Sequence, residues 1–414
     1  MEESILYYLT KEDENKENNM RNGININDIR NFIIILCLWF AAFASLYSDT
    51  ANTIALYVVL PIAFCLCFFQ QGRIAKYKYL NILIALILWI LFSYIWAQYK
   101  EAAATQLKQL FGTLILAYIY TTTSQNIRLT PYLYITYIIL FAGACVYAQK
   151  YILINMVSET DRLDDEKLNA NTLAYFLFYA TFAFFELKRF VNNGFARRFI
   201  EVCFILMIPL TFIVALLTAS RQVLIIQIPL ITILFYIRYI RKTKTITKII
   251  FFIVAFTGVL LVAPYVSDIY EDSYLKTRNE IDINEDGRTL LLKNAINVGN
   301  EYFPFGVGPA NYMFYSPNGL FSHNTYAELY ANEGIVGLCL YLWLVILFVR
   351  RQWKRYWASH DKQYLIFFVF GIIYMADGFF YVFYPHLWLM GFFMLVASHS
   401  EVYYIEQTIK FQSK

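Results

Sequence analysis

The sequence contains few charged residues for its length. Of its 414 residues, only 15% are Asp, Glu, Lys or Arg, whereas soluble domains average about 25%. Hydrophobic residues make up 59% of the chain and aromatic residues 19%. They are gathered in runs close to the roughly 20 residues that cross a bilayer core. A soluble globular domain is therefore excluded, and we predict an all-α, polytopic helical membrane protein.

Cysteine is absent from the polar segments. The six cysteines are Cys37, Cys65, Cys67, Cys145, Cys203 and Cys339, and all six lie inside apolar runs. We therefore expect small buried side chains, and neither a disulfide framework nor a cysteine metal cluster.

Familiar catalytic motifs are also missing. The sequence has no Walker phosphate-binding loop, no His-Glu-x-x-His, no Gly-x-Ser-x-Gly and no Asp-x-Asp pair in an outer loop near the membrane. These absences argue against nucleotide hydrolysis, zinc proteolysis and metal-dependent sugar transfer built on paired carboxylates. We expect no metal and no cofactor. A convincing internal repeat is also missing, which weakens the interpretation as an inverted-repeat transporter.

The apolar runs predict about twelve transmembrane helices and one large outer loop that contains short helices. The predicted spans are residues 31–47, 51–69, 79–97, 106–122, 131–149, 172–190, 199–218, 222–240, 246–264, 334–349, 364–381 and 386–399. The predicted divisions are an N-terminal tail (1–30), helices one to nine (31–264), the large loop (265–333), helices ten to twelve (334–400) and a C-terminal tail (401–414).

Lysine and arginine collect on one side of this predicted arrangement. The basic stretches "QQGRIAKYK", "ELKRFVNNGFARR", "IRYIRKTKTITK" and "RRQWKRYWASHDK" follow spans two, six, eight and ten. The other side carries the acidic "SETDRLDDEKLNA" and the large loop. Because cytoplasmic loops are enriched in Lys and Arg, we expect both termini to be cytoplasmic and the large loop to face outward.

The large loop contains three interpretable segments. "RTLLLKNAINVGNEY" has apolar residues at helical spacing, which predicts an amphipathic helix on the membrane surface. "PFGVGPANYMF" predicts a turn in which Gly306 and Gly308 permit positive φ or close backbone approach. "SHNTYAELYANEG" predicts a short helix that leads into span ten, with Ser322 or Asn324 as its cap.

One histidine and one arginine are the strongest functional candidates. Of the four histidines, His360 and His399 fall on the predicted cytoplasmic side, which leaves His323 and His386 facing outward. His323 suits proton transfer near neutrality, although a solvated loop histidine is the alternative. Arg221 lies in a short turn between two spans. It could grip a lipid phosphate bidentately, or simply extend to the headgroups.

Three other polar residues are weaker candidates. Arg288 opens the predicted amphipathic helix, and Arg278 lies upstream in "LKTRNEID". Each alone is typical of a solvated loop charge. Asp377, near the outer end of span eleven, is an intramembrane acid and thus a functional candidate. A helix cap or an arginine partner is the alternative role.

The segment "DINEDGR" begins like a calcium-binding loop. The twelfth position of such a loop provides a bidentate Glu, but here it is Lys293. We therefore favour an Asx-type turn that leads into the following helix.

These features together resemble the bacterial O-antigen ligase and O-antigen polymerase family. The resemblance is strongest over about residues 215–350. It rests on Ser220-Arg221 after span seven, on Gly287-Arg288 before an amphipathic helix, and on "PFGVGPANYMF" and "SHNTYAELYANEGIVGL" before the next span. The first two hundred residues match only in span pattern.

The resemblance implies transfer of a glycan from a polyprenyl-diphosphate carrier to an acceptor hydroxyl. The reaction would take place at the periplasmic face of a bacterial inner membrane, with inversion and without metal. It implies that Arg221 and Arg288 hold the diphosphate and that His323 activates the acceptor. Preorganised guanidinium groups can stabilise the charge of the leaving diphosphate, and a neutral imidazole can accept the proton of the hydroxyl. The possible supporting residues are Asn324, Glu328, Arg278 and Asp377.

The acceptor separates the members of this family. A ligase uses a lipid A-core sugar and a polymerase uses another lipid-linked repeat unit. The ten residues between Arg288 and Gly299 resemble a spacing found in polymerases, but no second copy occurs in the earlier outer loop, so we favour the ligase. A protein-glycosylating relative is a third possibility, and a flippase or transporter is the rival of another class. The expected partners are the lipid-linked donor, a lipid A-core or glycan acceptor and membrane lipids, with no nucleic acid.

Overall fold

The protein folds into a bundle of helices. The computed structural model describes residues 26–71, 78–155, 170–218, 226–241, 243–246, 248–249, 287–317 and 319–412. Within these residues there is no β-strand, so the all-helical class is confirmed for them. The helices are α1 (Ile26–Tyr47), α2 (Asp49–Ile54), α3 (Leu60–Gln71), α4 (Lys78–Ser93), α5 (Lys100–Thr123), α6 (Thr130–Asn155), α7 (Ala170–Leu187), α8 (Gly194–Thr218), α9 (Ile228–Phe235), α10 (Gly287–Glu301), α11 (Thr325–Ser359), α12 (Lys362–Asp377) and α13 (Leu387–Gln412).

Irregular turns extend two of these helices. A π-helical turn, Ala55–Val59, joins α2 to α3, and another, Tyr236–Ile240, continues α9. A short 3₁₀ turn, Tyr312–Phe314, lies between α10 and α11.

The predicted spans correspond well to these helices. Each predicted span except the ninth coincides over most of its length with a described helix. The ninth, residues 246–264, lies almost wholly outside the described residues. The main differences are at helix ends. α11 begins nine residues before the predicted start of span ten at residue 334, and α13 continues to Gln412 through most of the predicted C-terminal tail.

Several described helices have the length and composition of membrane spans. Four are long and apolar enough to cross a membrane: Ile26–Tyr47, Asp49–Phe69, Thr130–Gln149 and Thr325–Ser359. Shorter apolar helices are Lys78–Ser93, Thr172–Leu187 and Ile228–Ile240. Large apolar side chains such as Phe43, Val202 and Ile346 are about half exposed on the outside of the bundle, as expected for a lipid-facing surface. The chain is therefore a membrane protein, whereas the twelve-span topology stays a prediction.

The core of the bundle is unusually rich in aromatic rings. Phe392 on α13 packs against Tyr137 on α6 and Tyr179 on α7, with ring centroids 4.4 Å apart in both pairs. The rings of Tyr137 and Tyr179 are 5.9 Å apart. Edge-to-face and tilted aromatic pairs of this kind contribute roughly 0.5–1.5 kcal/mol each beyond their buried area. They hold α6, α7 and α13 together where helices cannot rely on water to drive association.

The cysteines differ in part from the prediction. All six are free thiols, so the expectation of no disulfide framework agrees with the structure. Cys65 and Cys339, however, are exposed on the apolar outer surface. The prediction of burial is confirmed for Cys67 and wrong for Cys65 and Cys339, whereas Cys37, Cys145 and Cys203 are only partly buried. An apolar run contains lipid-facing as well as inward-facing positions.

The bundle has two chemically different ends. We call the end formed by residues 94–99, 302–324 and 378–386 the loop end, and the opposite end the basic end. α4 illustrates the arrangement: Tyr79 at its start donates to Glu401 (3.0 Å) at the basic end, and Ser93 at its close donates to Glu333 (2.5 Å) at the loop end.

Buried carboxylates organise the basic end. Glu401 on α13 accepts hydrogen bonds from Arg351 (3.2 Å) and Arg355 (2.8 Å) on α11. Glu186, fully buried on α7, accepts from Arg189 (3.1 Å) and from Gln363 (2.8 Å) on α12. Because a buried charge is tolerated only when it is paired and hydrogen-bonded, these contacts fix the relative positions of α7, α11, α12 and α13.

We predict that Glu401→Gln lowers the stability of the protein. Glutamine keeps the shape of the side chain but removes the charge, so two guanidinium groups lose their ion pair. Because the arginine side chains are 28% and 12% exposed, we expect a loss of about 1–3 kcal/mol rather than the larger cost of a fully buried pair. The measurement is the apparent melting temperature of the detergent-purified protein, with the exposed Glu101→Gln as control. Equal melting temperatures for both variants would contradict this role.

Candidate functional site

The candidate site lies at the loop end, where α11 begins. Asn324 is the N-cap of this helix: its Oδ1 accepts hydrogen bonds from the amides of Tyr326 and Ala327, both at 3.0 Å. Its Nδ2 donates to the carbonyl of Phe379 (3.3 Å). The cap satisfies amides that the first turn of a helix leaves without partners. The predicted cap, Ser322 or Asn324, is confirmed as Asn324.

His323 stands directly before the cap in an uncommon backbone conformation. Its φ is 54°, in the left-handed region, where histidine is enriched among residues other than glycine. The side chain is half-buried, and its ring lies 4.4 Å from the ring of Phe321. The hydroxyl of Ser322 donates to the carbonyl of Asn324 (3.0 Å). The imidazole therefore extends from a turn whose two neighbours are both fixed.

Glu328 holds this turn from within α11. Its carboxylate accepts a hydrogen bond from the amide of Ser322 (2.7 Å) and another from Asn332 Nδ2 (3.2 Å). Gln106 on α5 and Asn332 both donate to the hydroxyl of Tyr384, at 2.7 and 3.4 Å. A buried hydrogen-bonded network thus connects the His323 turn to α5 and to the segment before α13.

A kink divides α11 at Gly334, which has φ 65° and ψ −165°. The carbonyls of Ala331 and Asn332, which a straight helix would satisfy internally, accept instead from the amides of Val307 (2.9 Å) and Gly308 (2.8 Å). The amide of Ile335 donates to the carbonyl of Pro304 (3.0 Å). The turn at residues 304–308 therefore replaces the hydrogen bonds that the kink removes.

The glycines of this contact have the predicted properties. Gly306 and Gly308 have φ values of 74° and 95°. A Cβ at Gly306 would lie 2.5 Å from the carbonyl oxygen of Asn332, and a Cβ at Gly334 would lie 2.0 Å from that of Pro304. The predictions of positive φ and of close backbone approach are both confirmed, because the two backbones meet without side chains between them.

α10 packs beside the first turns of α11, and the predicted helix in this segment is confirmed. A Cβ at Gly299 would lie 2.3 Å from the ring of Tyr330, so this glycine permits the close approach of the two helices. Nearer the start of α10, the carbonyl of Leu291 accepts from the hydroxyl of Tyr312 (2.8 Å), whose own amide donates to Asn332 Oδ1 (2.7 Å). Arg288, in the first turn of α10, is half-buried.

Asp377 is the last residue of α12 and is 1% exposed. The next residue, Gly378, accepts from the amide of Thr325 (2.8 Å), and the hydroxyl of Tyr326 donates to the carbonyl of Met375 (2.6 Å). Asp377 is thus buried where α12 ends and α11 begins, next to a helix N-terminus that favours negative charge.

An apolar groove of about 410 Å³ adjoins this region. Its lining residues are Ile226, Pro229, Ile372, Ile373, Ala376, Phe379 and Phe380. It lies between the start of α9 and the turn that follows α12, and its exclusively apolar walls suit a hydrocarbon chain.

Only some of the predicted site residues are among the described residues. His323, Asn324, Glu328 and Asp377 all lie at the loop end, around the start of α11, and Arg288 lies on the adjoining α10. Two candidates, Arg221 and Arg278, and residues 282–286 of the calcium-like segment lie outside the described residues. The convergence of His323, Arg221 and Arg288 therefore stays a prediction. Among the described residues, no group of three or more His, Cys, Asp or Glu side chains could hold a metal ion.

Sequence reasoning missed the residues that link the site to the bundle. Gln106 and Tyr384 are separated by 278 residues along the chain, and no local pattern connects them. Asn332 had a usable signal in the sequence, because it lies just before a long apolar run and an amide that is buried there needs partners.

We predict that Gly334→Ala destabilises the protein much more than Gly319→Ala. Both glycines have nearly the same φ, 65° and 66°, but a Cβ at Gly319 meets nothing within 4 Å. Alanine held at a positive φ costs about 1–3 kcal/mol at either position, and φ 65° with ψ −165° at Gly334 lies in a region that essentially only glycine populates. Alanine at Gly334 also separates the 304–308 turn from α11, at a further cost of ~1–3 kcal/mol. Thermal unfolding of both variants in detergent measures the difference, and equal losses would exclude a structural role for this contact.

The candidate site lies in a segment that is similar to a known family. Residues 203–342 match the family model described as O-antigen ligase, whereas a search of curated proteins found no match. The matched segment is about a third of the chain, and it contains every candidate site residue except Asp377. It supports an activity of the O-antigen ligase or polymerase type. This match supports membership of the O-antigen ligase and polymerase family, in agreement with the resemblance of the sequence.

Proposed function

We propose that the protein is an O-antigen ligase-like membrane glycosyltransferase. It moves a glycan from a polyprenyl-diphosphate carrier to a hydroxyl of a lipid A-core sugar, with inversion and without a metal ion. The observation that carries this proposal is the placement of His323. A half-buried imidazole in a left-handed turn is fixed by its neighbours at the loop end, within the segment that matches the O-antigen ligase family.

The proposed topology has twelve membrane-crossing helices with both termini in the cytoplasm. The loop end then faces the periplasm across the bacterial inner membrane, and residues 265–333 form the large periplasmic loop. The distribution of cations supports this orientation, because cytoplasmic segments are enriched in Lys and Arg. Lys188, Arg189, Arg351 and Arg355 all make their ion pairs at the basic end.

Arg288 is proposed to hold the diphosphate close to His323. Tyr312 reaches from Asn332 to Leu291, and burial together with the negative charge of Glu328 raises the pKa of its hydroxyl. The Tyr312 hydroxyl is therefore near the first turns of both α10 and α11. This side-by-side packing supports a parallel arrangement, in which Arg288 and His323 share one end of the helix pair.

Arg221 is proposed as the second diphosphate ligand. The described chain resumes at Ile226, which lines the apolar groove beside Phe379 and Phe380. An arginine five residues earlier in sequence is suited to a phosphate at the mouth of this groove. The groove itself would take part of the polyprenyl chain. Arg278, in the loop before α10, is a further candidate for the same anionic group.

The proposed chemistry requires a base and a stabilised leaving group. His323 accepts the proton of the acceptor hydroxyl while its oxygen forms a bond to the anomeric carbon. The bond from that carbon to the diphosphate oxygen breaks, and the two guanidinium groups stabilise the negative charge that develops there. Glu328 and Asn324 act through the backbone on either side of His323 and position its ring. Asp377 supports the start of α11 from the end of α12.

Polymerisation of repeat units would use the same donor chemistry and is the principal alternative. The ten-residue spacing between Arg288 and Gly299 does not favour a polymerase over a ligase. Gly299 is required for a different reason, since any larger residue would collide with Tyr330. A flippase or transporter is the more remote alternative.

We predict that His323→Ala and Arg288→Ala each lower the rate of glycan transfer at least ~100-fold, the usual range for loss of a general base or of charge stabilisation. The assay uses purified protein, a lipid-linked oligosaccharide donor and a lipid A-core acceptor without ATP, and detects the product by mass spectrometry. Lys293→Ala, an exposed cation on the same helix as Arg288, is the matched control. Full activity in the His323 and Arg288 variants would remove this catalytic assignment.

A second prediction concerns Glu328. We expect Glu328→Ala to lower kcat about tenfold with little change in KM, because the Ser322 amide loses its acceptor and the His323 turn is no longer held. Glu328→Gln retains an acceptor oxygen and should restore most of the rate. If glutamine were as damaging as alanine, the carboxylate charge itself would be required and the positioning role would be wrong.

A further inference from the structure

A cluster of aromatic rings lies at the loop end outside the catalytic residues. Tyr99, which directly precedes α5, stacks on Phe314 with ring centroids 3.8 Å apart and planes inclined by 15°. The rings of Tyr302 and Tyr315 meet edge to face at 5.3 Å. We call Tyr99, Tyr302, Phe314 and Tyr315 the outer aromatic cluster. Tyr99 is 38% exposed, Tyr302 37% and Phe314 46%.

Polar groups lie at the edge of these rings. The hydroxyl of Tyr315 donates to Gln98 Oε1 (3.1 Å), and Gln98 is exposed. Burial and the neighbouring Tyr302 hydroxyl raise the pKa of Tyr315 to about 12, so this hydroxyl stays neutral and remains a donor. Glu301 directly precedes Tyr302 in the chain and is exposed, and its charge acts in the same direction.

The cluster is preorganised by contacts between two distant segments. The amide of Tyr99 donates to Asn311 Oδ1 (2.7 Å), and Asn311 Nδ2 donates back to the carbonyl of Tyr99 (3.3 Å). Asn311 is fully buried, and a Cβ at Gly308 would lie 2.6 Å from Ala97. Exposed aromatic rings held rigidly lose little entropy when they bind a ligand.

A second aromatic cluster nearby has a different chemical character. Trp89, Phe92, Trp96 and Phe305 form a continuous set of ring contacts between α4 and the 304–308 turn. Phe92 and Phe305 are more than half exposed, and none of the four rings carries a hydroxyl group. Trp89 and Trp96 give this set the composition of an aromatic belt at the membrane interface, where Trp is enriched.

We propose that the outer aromatic cluster is a glycan subsite that binds a neutral pyranose ring of the transferred chain or of its acceptor. This inference rests on the proposed function. One face of a pyranose presents C–H groups, which pack favourably on the electron-rich face of an aromatic ring. The hydroxyls at its edge need the donors and acceptors that Gln98 and Glu301 supply. The carboxylate of Glu301 disfavours an acidic sugar at this position.

The subsite lies away from the reacting bond. Tyr302 and Gly306 follow the end of α10, and Gly306 contacts α11 at Asn332, whereas His323 precedes its first residue. The intervening nine residues, Thr325 to Glu333, span about 13 Å of helix. The bound sugar is therefore a residue further along the glycan, and its contacts determine which chains are accepted.

The test measures binding of soluble glycans to the full-length protein in detergent. The two probes are an oligosaccharide repeat released from its lipid carrier and a core oligosaccharide released from lipid A. Saturation-transfer difference NMR detects sugar protons that contact the protein. We expect at least one probe to bind, and Tyr99→Ala and Phe314→Ala to weaken its affinity roughly three- to tenfold. The probe that depends on these residues identifies the donor or the acceptor as the source of the sugar.

Matched variants make the outcome decisive. Phe92→Ala removes a ring of similar exposure from the other cluster and should leave binding unchanged. Tyr315→Phe removes only the hydroxyl and should weaken binding less than loss of a ring. Should Tyr99→Ala fail to fold, Gln98→Ala tests the same subsite at an exposed position. Equal affinity in all variants, or no binding of either probe, would overturn the subsite.

Two further outcomes are distinguishable. Equal quenching of Tyr99→Trp and Phe92→Trp by lipids with brominated acyl chains would assign the outer aromatic cluster to the membrane and overturn the proposal. His323→Ala should abolish transfer but retain probe binding. If no transfer occurs in the unmodified protein while binding still depends on Tyr99, the proposed function fails and the glycan subsite stands.

Discussion

The contact between the 304–308 turn and the kink in α11 is the constraint on which the loop end depends. A kink exposes helix carbonyls that must find partners, because unpaired backbone groups are costly near a membrane. Here the amides of Val307 and Gly308 satisfy the carbonyls of Ala331 and Asn332. The exchange is possible only because glycines at 306 and 334 let the two backbones touch. It sets the direction of the first turns of α11, and hence the position of His323.

Buried polar side chains connect the first turns of α11 to the rest of the bundle. Glu333 accepts from Ser93, and the carbonyl of the same residue accepts from Trp89, which ties the kink to α4. Glu328 connects the His323 turn to Asn332, and Tyr384 extends the network to Gln106 on α5. Buried polar groups without partners would destabilise the fold. Each of these side chains therefore needs its hydrogen-bond partner, and the bond fixes the relative positions of the two segments.

Hydrogen bonds between distant segments also shape the surface beside the site. Asn311 joins a turn before α5 to a loop more than two hundred residues later, and this junction presents a rigid set of rings to the outside. The proposed base lies at the start of α11 and the outer aromatic cluster lies near the kink. The short helix from Thr325 to Glu333 therefore lies between the proposed base and the proposed glycan subsite, an arrangement suited to an extended substrate such as a glycan.

The sequence by itself determined the local features of this protein. Eleven of the twelve predicted apolar spans correspond to described helices, because a helix that crosses lipid must be apolar over its length. The Asn324 cap and the turn glycines were also predictable, because each depends on a few neighbouring residues. The short helix at the start of α11 was predicted too, but not the burial of its polar residues Glu328, Asn332 and Glu333, which depends on partners outside that helix such as Ser93, Ser322 and Tyr312. The tertiary structure alone decided the roles of Glu333, Tyr384 and Gln106, because hydrogen bonds between residues 240 and 278 positions apart leave no pattern in the order of the amino acids.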